Sequence, residues 1–364
     1  MASHGVPRSA TREQRSVEAR QKELREIEQY QSLVTEIRQG VEKKDLSPEL
    51  LDKTSALLKK NPEYYTIWNV RRLIFANEFD NLVNQVQNQH LEEDKKQSQV
   101  LDIINHDLYF LFPLLLEYPK CYWIWNHRLW LLNQGSFYLT PGGARALWDD
   151  ELTLVSKMLT RDSRNFHGWG YRRTVIEKLE SDELNGQSLS RAEYNYTTKM
   201  IGQNLSNFSA WHTRSRLILK ILNEENADAV ERKQMLDEEL KLIHKALFDP
   251  YDQSLWFYHQ NLMSNFDPDT CQKAMAPGLS QAEKVAYVQE EREFVEDLIE
   301  DAADSKWVYQ ALMDCVLIEG KLTGGLSAEM NKNVQTWLEK LKELDPLRSG
   351  RWADVQHTIL RRTV

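Results

Sequence analysis

Lys120 and Tyr122 stand two residues apart on a short stretch that runs into a doubled tryptophan, Trp123 and Trp125. An ammonium beside a phenol, on a turn leading into a helix, suits an oxygen of a phosphate or diphosphate. The first N–H groups of a helix and its dipole favour an anion at that place. Any such anion must meet a local basic site, because 46 Lys and Arg against 55 Asp and Glu give a net charge of −9, which argues against a broad nucleic-acid footprint. The nine histidines form no ligand set. His127, His167, His212 and His259 recur at or beside equivalent positions, where a hydrogen-bonded His is expected rather than a metal ligand. The chain contains no G-x-x-x-x-G-K-[ST], G-x-G-x-x-G, H-E-x-x-H or G-x-S-x-G. Phosphate-loop, dinucleotide, zincin and hydrolase chemistries therefore have no sequence support, and a stand-alone enzyme is not expected.

The elements that must position Lys120 and Tyr122 come from a repeat. One copy reads Asn61-Pro62-Glu63-Tyr64-Tyr65-Thr66-Ile67-Trp68, and the next is Tyr118-Pro119-Lys120-Cys121-Tyr122-Trp123-Ile124-Trp125. Both have Pro six residues before the Trp and Arg three after it, Arg71 and Arg128. Further copies run Asp162 to Arg173 around Trp169, Asn204 to Arg214 around Trp211, and Asp249 to His259 around Trp256, where His259 replaces the Arg. Weaker copies centre on Trp307 and Trp352, so successive Trp spacings are 57, 44, 42, 45, 51 and 45. A period near 45 with helical rather than alternating periodicity is that of a two-helix hairpin. Ser47-Pro48 reads as an N-cap with Pro at the first helical position, followed by the stripe Leu50, Leu51, Thr54, Leu57 and Leu58. Asn61-Pro62 and Asp249-Pro250 are expected to start the second helices in the same way, with the motif Trp about two turns in. Arg71, Arg128, Arg172 and Arg214 share the Trp face. Either they pair with carboxylates of the adjacent hairpin or they form a basic row toward a partner or anionic ligand. Stacked hairpins align their turns along one edge, and extended surfaces of that kind bind another protein.

A chain of 364 residues is longer than one compact core usually serves, since such cores stop growing near ~250–300 residues. An extended array escapes that limit. Gly and Pro are scarce, at 14 and 10, which disfavours Gly-turn-rich β architectures. Three widely spaced cysteines suggest no disulfide framework. Met1 to Tyr30 holds no apolar stretch that could serve as a signal peptide. The longest apolar run, Leu108 to Leu116, is too short to span a bilayer and is interrupted by Pro113. A cytoplasmic protein without membrane insertion is expected. Residues 1–40 read as a charged helical segment that frays at its start, and residues 41–364 as a single helical-repeat domain. Gln85 to Gln99 reads as the exposed part of an insertion, and Asp267 to Gln281 as a second candidate loop.

The repeat resembles that of the α subunits of the protein prenyltransferases, written Pro-x-Asn-Tyr-x-x-Trp-x-x-Arg, over roughly Leu46 to Leu360. The runs around Trp169, Trp211 and Trp256 look like the Rab geranylgeranyltransferase type, and the Pro-rich N-terminal extension of the farnesyltransferase and type I geranylgeranyltransferase α subunit is not seen. That sister subunit and a non-enzymatic helical scaffold are the alternatives. The resemblance implies an all-α fold, a right-handed α-α superhelix in which about seven hairpins form a crescent around a separate β subunit that carries the catalytic zinc and the prenyl pocket. No metal ligand is then expected on this chain, and no added immunoglobulin-like or leucine-rich module. The implied reaction moves the geranylgeranyl group of geranylgeranyl diphosphate to C-terminal cysteines of Rab GTPases delivered by an escort protein. The resemblance makes Lys120 the residue that stabilises the diphosphate in a site shared with the β subunit. It places Tyr122, Phe166 and His167 at the interface, with Asn126, Arg128 and Arg164 as further interface residues. Phe166 stands where the farnesyl type has Tyr, so a hydroxyl is lost there.

Overall fold

The computed structural model describes residues 17–270 and 274–362, and these form helices and turns without a strand. The chain divides into two compact units, one built from residues up to 157 together with 167–187, the other from 158–166 together with 188 onward. The first contains α1 (Val17–Glu42), α2 (Pro48–Lys60), α3 (Tyr65–Gln87), α4 (Glu93–Glu117), α5 (Tyr122–Tyr138), most of α6 (Pro141–Arg161) and all but the first residue of α7 (Phe166–Leu179). The second contains α8 (Ser190–Gln203), α9 (Phe208–Glu224), α10 (Ala229–Ala246), α11 (Gln253–Met263), α12 (Gln281–Asp297), the short α13 (Ile299–Ala302), α14 (Lys306–Thr323), α15 (Ala328–Leu344) and α16 (Ser349–Arg362). Each unit is an array of helical hairpins, with the tryptophan motifs at the joints.

Local chemistry sets the boundaries. Ser47 accepts from the N–H of Leu50 (3.3 Å) with Pro48 at the first helical position, as the sequence predicts. Pro62 behaves differently from its expectation. It lies in the turn before α3 rather than at the start of that helix, and Trp68 is the fourth helical residue, one turn in rather than two. The reason is a hydrogen bond that the turn makes possible: Trp68 Nε1 donates to the carbonyl of Pro62 six residues back (2.8 Å). The same bond recurs from Trp125 to Pro119 (2.9 Å), Trp211 to Leu205 (2.8 Å) and Trp256 to Pro250 (2.8 Å). Each indole is thereby buried with its one polar atom satisfied. In three repeats the carbonyl six residues before the Trp also meets a donor from the next repeat. Cys121 Sγ meets Pro62 O (3.6 Å), Asn207 Nδ2 meets Ser163 O (2.7 Å) and Ser305 Oγ meets Pro250 O (3.0 Å).

That ladder corrects the sixth repeat. Tyr309, not Trp307, occupies the motif position: its hydroxyl donates to Ala303 O, again six residues back (3.0 Å), and Ser305 precedes it by the same four residues as Cys121 precedes Trp125. Trp307 is half-buried, at the register of Trp123. The expected loop from Gln85 to Gln99 also shrinks to the stretch between α3 and α4, because the extra residues lengthen those two helices. Helix α4 runs on through Pro113, which lies on its exposed face. The described residues from Asp267 to Ser280 form a loop, in which Ala274, Met275 and Ala276 are buried, with Met275 N–H donating to Asn265 Oδ1 (2.6 Å). The start of the N-terminal segment, residues 1–16, and Cys271 lie outside the described residues, while Cys121 and Cys315 are buried free thiols.

Candidate functional site

Trp68, Trp169 and Trp211 are fully buried. Each removes roughly 200 Å² from water, worth up to about 5 kcal/mol before entropy is subtracted. The Arg that follows by three residues goes inward with the ring. Arg71 Nε donates to Asp107 (2.9 Å). Arg128 meets Glu151 through two bonds of 2.7 Å, and Arg214 meets Glu239 at 2.8 and 2.6 Å. The carboxylates sit on the first helix of the following hairpin, and a side chain of the next motif shares them. His127 Nε2 meets Asp107 (2.8 Å), Tyr171 donates to Glu151 (2.6 Å) and Tyr258 donates to Glu239 (2.5 Å). In the fifth repeat His259 (3.1 Å) and His244 (2.8 Å) converge on Glu291. Burial pushes the Glu291 carboxyl up, but the bonds from His244 and His259 outweigh it and hold it down at about 2. For Arg128, burial alone would lower the guanidinium, and Glu151 outweighs it and raises it. Arg172 is buried as well and donates to Ser156 Oγ (2.7 Å).

Arg71, Arg128 and Arg214 are thus internal cations neutralised between hairpins, and with Arg172 also buried the motif arginines do not form a basic row toward a partner. Arg128, expected at an interface, is 2% exposed and serves inside the fold. The carboxylates were missed in the sequence, although a signal exists. Asp107, Glu151, Glu193 and Glu291 each lie 18 residues before the next motif aromatic and Glu239 lies 17 before it, counting Tyr309 as the sixth. All five are buried.

The opposite face of each motif looks outward. Lys120 is exposed on the turn before α5, a helix whose start carries no side-chain cap. Tyr122, the first residue of α5, is 53% exposed and meets the edge of Trp123 (ring centroids 5.4 Å apart, 83°). Trp123 stacks on Tyr65 of α3 (5.3 Å, 29°), and His167 approaches Tyr122 at 6.3 Å. Tyr65, Trp123, Tyr122 and His167 therefore form one aromatic shelf beside an uncapped helix N-terminus, a place suited to an anionic group. Asn126, half-buried one turn along α5, accepts from Arg72 Nη2 (2.6 Å). Arg164 is exposed, with its N–H donated to Asp162 Oδ1 (3.2 Å). Phe166 opens α7 and is 73% exposed. The second unit shows its own row, with Phe208 edge-on to Phe257 (5.9 Å) and Phe257 edge-on to Trp307 (5.6 Å). Exposed aromatics in a row are unusual on an isolated soluble chain and mark a protein-binding face. Among the described residues no cluster of His, Cys, Asp and Glu is arranged to hold a metal, and no helix is long and apolar enough to cross a membrane.

Comparison with known proteins agrees with the repeat. Residues 47–78, 104–135, 148–179 and 190–221 match the protein prenyltransferase alpha subunit repeat. The geranylgeranyl transferase type-2 subunit alpha of Saccharomyces cerevisiae is 32% identical over 96% of this chain and 97% of its own length. That of Schizosaccharomyces pombe is 34% identical over 98% of both. The human protein of the same name is 32% identical over 73% of this chain and 42% of its own length. Among solved structures, a chain of the Candida albicans protein geranylgeranyltransferase-I complexed with GGPP superposes with a TM-score of 0.57 at 19% identity, covering 92% of this chain and 91% of that one, a likeness of fold.

Proposed function

Because this chain belongs to the protein prenyltransferase α-subunit family, we propose that it acts as the α subunit of a type-2 geranylgeranyltransferase, working on Rab GTPases presented by an escort protein. The near full-length similarity to two type-2 α subunits supports the subunit type. The exposed aromatic rows support a β subunit as the partner that covers them. In the reaction the sulfur of a C-terminal cysteine attacks C1 of geranylgeranyl diphosphate, the C1–O bond breaks, and the diphosphate leaves with the bonding pair. Zinc, which the resemblance assigns to the β subunit, would hold that sulfur as thiolate.

This chain acts on the leaving group. Lys120 places a positive charge at the mouth of α5, where the helix dipole already favours an anion. Tyr122 and Trp123 wall that spot with apolar surface, which strengthens the attraction by excluding water. Phe166 offers no hydroxyl, so its contribution is apolar contact. The single observation behind this reading is Lys120 on the turn beside the aromatic shelf of Tyr122, Trp123 and Tyr65. The test is Lys120→Ala assembled with the β subunit and assayed for geranylgeranyl transfer to escort-bound Rab. A loss of about 10²-fold in turnover is expected, and wild-type turnover would remove Lys120 from the mechanism. A heterodimer that prefers a C-terminal CaaX peptide to escort-bound Rab would move the chain to the farnesyl or type I class.

A further inference from the structure

Arg72 on α3 carries a charge that its neighbours in the fold do not neutralise. Its Nη2 donates to Asn126 Oδ1 (2.6 Å) and its Nε to His127 Nδ1 (3.3 Å), and neither partner is an anion. The His127 contact requires a neutral imidazole. Its Nε2 donates to Asp107 Oδ2 (2.8 Å), which leaves Nδ1 to accept, and full burial lowers its pKa, outweighing the pull of Asp107. Asp107 is meanwhile the counter-ion of Arg71. One carboxylate thus serves a hydrogen-bonded cluster with two guanidinium groups. The contrast with the motif arginines is chemical: Arg128 and Arg214 are held above their ordinary pKa by Glu151 and Glu239, whereas burial pushes Arg72 below its own. Arg72 is half-buried and lies 5.8 Å over the Trp130 ring, on the side where Tyr122 and Asn126 face outward.

A half-buried, uncompensated guanidinium next to an exposed aromatic shelf is built to receive an anion from another chain. Resting on the α-subunit reading, we infer that Arg72 forms an ion pair across the subunit interface with a carboxylate side chain of the β subunit. The anion is assigned to the β subunit rather than to the diphosphate. Asn126, which holds Arg72, lies four residues along α5 from Tyr122, about 6 Å at 1.5 Å per residue, and six from Lys120. Arg72 is thus anchored one helical turn past the spot assigned to the diphosphate. The planar fork of Arg72, with one nitrogen already fixed on Asn126, keeps the rest of the guanidinium in place for a carboxylate.

The test is the association of Arg72→Gln with the β subunit, measured across a range of salt concentrations beside the wild-type chain. The expected result is a Kd weakened roughly 30-fold at low salt, with a gap that narrows as salt rises. Arg72→Lys, which keeps the charge without the fork, should retain the wild-type salt dependence. An unchanged Kd overturns the inference. So does a loss that is equal at every salt concentration and accompanied by a lower melting temperature of the chain, because that pattern belongs to packing. Intact assembly with a raised KM for geranylgeranyl diphosphate also overturns it, since the charge would then serve the prenyl donor. If the wild-type chain forms no active heterodimer, the α-subunit reading itself fails, and the unmutated control reveals that separately.

Discussion

Glu239→Gln isolates what the buried ion pairs contribute, because it changes one atom and leaves the shape of the side chain intact. Glu239 accepts from Arg214 twice (2.8 and 2.6 Å), from Tyr194 (2.7 Å) and from Tyr258 (2.5 Å). A glutamine keeps one acceptor oxygen and turns an NH2 toward the other pair of donors. A tyrosine hydroxyl can rotate and accept from that NH2, but Arg214 has no acceptor to offer. The variant therefore loses a charge-assisted bond worth about 1.5–3 kcal/mol. It also leaves a guanidinium that is 4% exposed without a counter-charge. Together these put the destabilisation at about 3–5 kcal/mol, or a fall in melting temperature of roughly 6–20 °C for a unit of this size. Thermal and urea unfolding of the purified chain, followed by tryptophan fluorescence, measure it. The double variant Arg214→Met with Glu239→Leu removes both charges and should be more stable than the single, falling short of wild type by the hydrogen bonds that the Tyr194 and Tyr258 hydroxyls lose. A loss below about 1 kcal/mol in the single variant would refute the argument that Glu239 neutralises Arg214. A double variant as unstable as the single would show that geometry, not charge, is at stake.

Trp68→Ala empties a site with no exposure and should cost about 3–5 kcal/mol in unfolding free energy; Trp68→Phe, which mainly loses the bond to the Pro62 carbonyl, should cost about 1–2. Asp314 supplies a pH test. Burial against α11 and α16 raises its carboxyl to about 6, against the bond from Gln260. The native state therefore holds a proton that the unfolded chain has released between pH ~4 and 6, and stability falls as pH rises through that window. Asp314→Asn should gain about 1–2 kcal/mol at pH 7 and nothing below pH ~4. Urea unfolding at the two pH values decides it, and an equal effect at both would remove the carboxyl as the cause.

The motif was legible because each of its parts acts locally. An indole at fixed distance from a turn carbonyl, a Ser or Asp cap, and an apolar stripe at helical spacing all depend on residues within one or two turns of chain, so the hairpins, their number and their joints could be read in order. The errors arose where a neighbouring repeat decides. Trp307 looked like the sixth motif ring, but which aromatic enters the core is set by the carbonyl of Ala303 and by the seating of Ser305 on Pro250, and these choose Tyr309. Arg128 looked like an interface group from the resemblance, while the Trp-x-x-Arg spacing itself fixes only the helix face that the guanidinium shares with the ring.

Whether that face points toward solvent or toward the next hairpin depends on a carboxylate 23 residues later in the chain, a relation that a single repeat does not contain. The sequence by itself determined the hairpin array and the seat of Lys120 and Tyr122 on the turn that starts α5, since both follow from residues within one or two turns of chain. Only the tertiary structure decided which cations are spent inside the fold and which remain for a partner. Arg71 and Arg72 are adjacent in the chain and chemically identical. The turn of the helix sends one to Asp107 in the core and the other to neutral Asn126 at the edge, so burial and counter-charge, not residue type, give them different work.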